Sequence, residues 1–80
     1  ADALAARAQR HVEANRALQA IQLVDIALTA SPEHRDSLEL KGRALQQLLE
    51  AAAATDNLSE IMWLRSEMKS VEDRLNPESG

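Results

Sequence analysis

Cysteine is absent from these 80 residues, and so are phenylalanine and tyrosine. Without Cys there is no disulfide scaffold, no thiolate zinc site and no thiol nucleophile. Trp63 is the only aromatic, so stacking platforms for nucleic-acid bases are missing. Only two Gly and two Pro interrupt the chain, which leaves room for long helices. No run of about 18 apolar residues occurs, so no segment is expected to span a bilayer. The N-terminus has no basic stretch leading into an apolar core and does not read as a signal peptide. Charge of one sign is also lacking. Nine Lys and Arg against thirteen Asp and Glu give a net charge of −4, with the signs interspersed as in Arg35-Asp36 and Glu72-Asp73-Arg74. A nucleic-acid module would show a clustered basic face, and a membrane-surface helix a strongly basic polar one. Neither partner is expected.

What is present is apolar and helical in rhythm. Hydrophobic residues make up 45% of the chain, which argues against disorder over most of its length. A single domain of this size buries only about 60% of its unfolded surface, and such a core rarely supplies more than about 3–5 kcal/mol. The helices must therefore pack very regularly or lean on another surface.

Four segments show helical periodicity and none alternates like a strand. The first spans about Asp2 to Ala14, with Leu4, Ala8 and Val12 in one stripe. It stops at Asn15-Arg16, where Asn suits the left-handed turn that ends helices. The second spans about Ala17 to Ala30 and is apolar around most of its circumference, which predicts the most buried helix. Ser31 as N-cap and Pro32 at the first helical position would open the third, running to about Ala54. Gly42 lies within it, at a cost of about 1 kcal/mol relative to Ala. That cost suggests close helix packing there. Thr55-Asp56-Asn57 reads as a turn, and Asn57 with Glu60 as a capping box. The fourth segment runs from Leu58 to Leu75. Ile61, Leu64, Met68, Val71 and Leu75 form a heptad-like seam, flanked by Leu58 and Met62. Residues 1–75 make the expected domain and 76–80 a disordered tail.

Helices one and three match at an offset of about 34 residues, the tetratricopeptide period. Leu4 aligns with Leu38, Ala8 with Gly42 and His11 with Leu45. Ala20, Val24, Ala27 and Pro32 then stand where the repeat wants Ala, a bulky residue, Ala and Pro. Residues 1–34 thus resemble one tetratricopeptide repeat. The second departs from the pattern: a turn at Asp56-Asn57 makes its first helix too long, and Ser66 occupies the place of the closing Pro. The expected fold is all-α, with four antiparallel helices in two tetratricopeptide-like hairpins.

A narrower likeness covers nearly the whole chain. The string from Ala20 to Leu38 (AIQLVDIALTASPEHRDSL), then Ala44-Leu45 with Leu48-Leu49, then Asn57-Leu58 through Trp63-Leu64-Arg65 to Met68 resembles the alkyl sulfatase dimerisation region. That region is the helical segment following the hydrolase domain in alkylsulfatase-like proteins of the metallo-β-lactamase fold. The resemblance implies subunit association beside a dinuclear zinc hydrolase domain. None of that domain's His-rich metal motif occurs here, so catalysis would lie outside these residues.

The chain is accordingly expected to be a non-enzymatic, cofactor-free, cytoplasmic interaction domain. Its partner would be a second copy or an attached hydrolase domain. His11 and His34, the only imidazoles, sit on different segments and do not make a metal motif. Glu33, Asp36 and Glu39 suit a helix start better than acid–base chemistry. Leu18, Leu23, Ile26 and Leu40 fall off the main stripes. Trp63 is either a core filler or an anchor on a partner surface, and Arg65 beside it could pair with Asp25 or Glu67. The expected partner interface is Leu23, Ile26, Leu40, Met62, Trp63 and Met68. An alternative is a stand-alone tetratricopeptide-type module binding an acidic peptide tail through Arg7, His11, Lys41 and Arg43. A third reading makes Trp63 or Arg65 a wall facing the alkyl chain of an attached hydrolase's substrate.

Overall fold

The computed structural model describes residues 2–76. They form four helices, α1 (Asp2–Glu13), α2 (Ala17–Ala30), α3 (Arg35–Ala54) and α4 (Leu58–Leu75), with no strand among them. The class is all-α.

Local chemistry sets the helix ends. Asn15 adopts φ 62° and Asp56 φ 55°, both left-handed. After α1, the Arg16 N–H donates to His11 O at 2.7 Å and the Asn15 N–H to Val12 O at 3.0 Å. After α3, the Asn57 N–H donates to Ala52 O at 3.1 Å and the Asp56 N–H to Ala53 O at 3.3 Å. Both are Schellman turns, which satisfy the last carbonyls of a helix. Asn57 caps α4: its Oδ1 accepts the Glu60 N–H at 3.3 Å, and its Nδ2 donates to Glu60 Oε2 at 3.0 Å. The reciprocal half of the expected capping box therefore runs between side chains. Asn76 closes α4, its N–H donating to Glu72 O at 2.8 Å. The rest of the expected tail, 77–80, lies outside the described residues.

The start of α3 differs from expectation. Ser31 to His34 form a turn closed by the His34 N–H donating to Ser31 O at 3.0 Å. The fixed φ of Pro32 suits the second position of such a turn as well as it suits a first helical turn. His34 is the N-cap instead: its Nδ1 accepts the Ser37 N–H at 3.3 Å and lies 2.7 Å from Ser37 Oγ. Ser37 is the one fully buried polar side chain among the described residues, and this contact satisfies it.

The core sets alanine against leucine. Ala8, Ala20, Ala27 and Ala44 are fully buried beside Val24, Leu38, Leu45 and Leu64. Small side chains let helix axes approach closely, and the Leu residues fill the space between. The central element is α3, which packs on α1, α2 and α4, whereas α4 packs on α3 alone. α2, expected from the sequence to be the most buried helix, buries Ala17, Ala20, Val24, Ala27 and Leu28, five of its 14 residues against six of 20 in α3, while Leu18 and Ile26 on its outer face stay more than half exposed. Gln47 Nε2 ties α3 to the end of α1 by donating to Val12 O at 2.8 Å, and Lys41 Nζ ties it to α2 through Asp25 Oδ1 at 3.0 Å.

Gly42 is not a point of forced close approach. A Cβ there would meet only Val71 Cγ1, at an ordinary 3.8 Å. Gly42→Ala should therefore raise stability by about 0.5–1 kcal/mol, by removing backbone freedom from the unfolded chain. Leu64→Ala, at a fully buried seam position, should cost about 2–5 kcal/mol. Urea unfolding followed by circular dichroism checks both.

Candidate partner-binding surface

The six residues expected at an interface separate into three groups. Ile26, Met62 and Trp63 are exposed, at 57%, 73% and 56%. Leu23 and Met68 are half-buried against the core. Leu40 is buried and belongs to the core. It lies off the main stripe of α3 because α3 packs on α1 as well as on α2 and α4, so a further side of that helix is covered. Ala5 and Ala6 of α1 line the same small cavity as Leu40.

Trp63 is not a core filler. On α4 it points about 120° away from the seam of Leu64, Met68 and Val71. Leu58 and Met62, one turn apart, stand together on the opposite flank at 71% and 73% exposure. Leu58, which widens the seam in the sequence pattern, is exposed because α4 has a single neighbour. Arg65 pairs with neither Asp25 nor Glu67: Asp25 is taken by Lys41.

α3 and the C-terminal part of α4, from Arg65 onward, border an open groove of about 910 Å³. Its floor is apolar, formed by Gly42, Leu49, Met68, Val71 and Leu75. Charged side chains line its walls. Arg43, Arg65 and Lys69 are cationic, and Glu39, Glu72 and Asp73 anionic. The i, i+4, i+7 spacing of Arg65, Lys69 and Glu72 puts these on one row of α4, a signal visible in the sequence but not used there.

The basic residues of the peptide-binding alternative do not converge. Arg7 and His11 border a shallow cavity with Arg10 and Arg16. Arg43 borders the α3–α4 groove. The Lys41 side chain is only 16% exposed and holds Asp25. Among the acidic residues, Asp36 lies in the first turn of α3, and Glu39 forms an exposed ion pair with Arg35 at 3.3 Å. Among the described residues no group of three or more His, Asp or Glu is placed to hold a metal ion, and no helix is long and apolar enough to cross a membrane.

Comparison with protein-family models, curated proteins and solved structures finds no match to this chain.

Trp63→Ala should change folding stability by less than about 1 kcal/mol, far below a buried aromatic truncation. Thermal unfolding of the variant beside the parent chain checks this, and a loss of several kcal/mol would return Trp63 to the core.

Proposed function

We propose that this chain is a non-catalytic helical interaction domain, built of two tetratricopeptide-like helix pairs, whose work is to bury α4 against another protein surface. One observation carries this reading. α4 rests on α3 alone and keeps Leu58, Met62 and Trp63 more than half exposed. A domain of 80 residues has little apolar burial to spare, and large side chains left outside on one helix are what an association surface offers.

The resemblance to the association segment of alkylsulfatase-like hydrolases narrows the partner to a second copy or an attached hydrolase domain. On that reading the segment carries no cofactor and no reacting group of its own, and it acts in the cytoplasm. The divergence of Arg7, His11, Lys41 and Arg43 favours assembly over capture of an acidic peptide.

Replacing both Leu58 and Met62 by Lys tests the proposal. Both side chains are exposed, so the helical circular dichroism spectrum should persist. Association, read as sedimentation mass against concentration, should weaken at least about tenfold, the equivalent of about 1.4 kcal/mol. A chain whose association ignores both substitutions removes α4 as the contact.

A further inference from the structure

We infer that the cavity between the C-terminal half of α1 and the turn at Asn15-Arg16 binds the linear phosphate chain of a small polyanion. The inference goes beyond the interaction-domain reading and concerns a surface that α4 does not touch.

One helix row and one turn build the site. Arg7, Arg10, His11 and Ala14 are spaced i, i+3, i+4 and i+7, within about 100° of helix arc. Ala14 continues the row beyond α1, its N–H donating to Arg10 O at 3.0 Å. Left-handed Asn15 then reverses the chain, and the Arg16 N–H donates to His11 O at 2.7 Å. That returns a third arginine to the same cavity. Ala14 is the small residue of the set, and about 370 Å³ stays open beside it. From Arg7 to Ala14 the row runs roughly 10 Å along the axis, enough for two or three linked phosphoryl groups.

The charge there is of one sign. Among the described residues, three Arg and one His line the cavity and no carboxylate does, on a chain of net charge −4. Elsewhere cations are paired, Arg35 with Glu39 and Lys41 with Asp25. No ion pair among the described residues engages Arg7, Arg10 or Arg16. Glu13, the nearest carboxylate in sequence, lies on the opposite side of α1 from His11 and stays outside the cavity.

Helix-end preference accounts for only part of this clustering. The negative end of the α1 dipole favours Arg10 and His11 in the last turn. Arg16 stands at the N-cap of α2, the positive end of that helix, and makes no side-chain cap. Asn57 holds the same place after the second Schellman turn and does cap its helix. Arg16 thus occupies a position where a short polar side chain would stabilise the helix, and what it contributes is positive charge in the cavity.

Phosphoryl groups match this lining. A phosphoryl group carries about −1.5 to −2 charge on three acceptor oxygens, and guanidinium forks bind such oxygens in pairs. The lining offers no aromatic or large apolar side chain, so the phosphate chain, and not a group attached to it, is what the cavity holds.

Titration calorimetry of the full chain tests the site, with tripolyphosphate and adenosine triphosphate as probes. At about 50 mM salt, tripolyphosphate should bind with a Kd below about 1 mM. The nucleotide should bind within about threefold of it, because no side chain there stacks on a base. Raising the salt to about 200 mM should weaken binding at least about threefold, since the arginines are exposed. Arg10→Gln with Arg16→Asn should raise the Kd at least about tenfold. Both side chains are exposed, and Arg16→Asn supplies α2 with the kind of cap that Asn57 gives α4, so the helical circular dichroism spectrum should persist. Arg65→Gln with Lys69→Gln, in the α3–α4 groove, should leave the Kd within about twofold, because that groove lies beyond the screening length. No binding up to about 10 mM probe, or equal weakening by both pairs of substitutions, overturns the site. A nucleotide bound at least about tenfold more tightly than tripolyphosphate overturns recognition of the phosphate chain alone. None of these outcomes bears on association through α4, which sedimentation reads separately.

Discussion

The packing of α3 against all three other helices is the constraint on which the molecule depends. Its faces are divided among neighbours. Leu40 lies in the part beside α1, Lys41 meets Asp25 of α2, and Gly42 faces Val71 of α4. Three consecutive residues thus address three different helices, as the 100° step of a helix permits. Loss of α3 would leave α4 without a neighbour, and the α1–α2 pair would retain only its own contact. The Gln47 bond to Val12 O belongs to the same frame, since it fixes α3 against the end of α1.

The length of α3 then explains where the surface opens. The left-handed residues Asn15 and Asp56 close equivalent turns, but α3 has 20 residues and so extends about 30 Å. Over that length it presents Leu45, Leu49 and Ala52 on one side. α4 begins from the turn at its far end and packs on α3 without reaching α2. Leu18 and Ile26 on α2, and Trp63 on α4, are left exposed.

Much of this was legible in residue order. The turns at Asn15 and at Asp56-Asn57, the Asn57–Glu60 cap and the seam from Ile61 to Leu75 depend on side chains within four positions of one another. Such signals survive without knowledge of the rest of the chain. The errors arose where one residue has two local uses, or where a distant element intervenes. Pro32 serves a turn as readily as a helix start, so His34 rather than Ser31 caps α3. Gly42 has room for a methyl group, a fact set by the position of Val71. Leu40 is covered because α3 has a third neighbour in α1, a long-range contact that no local pattern encodes.

The all-helical class, the four helices and their breaks follow from the amino-acid order alone. Periodicity, capping and left-handed turns are properties of short segments, and their energies are realised within a turn or two. Which flank of each helix is covered was decided only by the tertiary structure. Coverage depends on helices far apart in the chain, and on how far one of them extends. The burial of Leu40, the exposure of Trp63 and the convergence of Arg65 and Lys69 with Glu39 on one groove are all consequences of that long-range geometry.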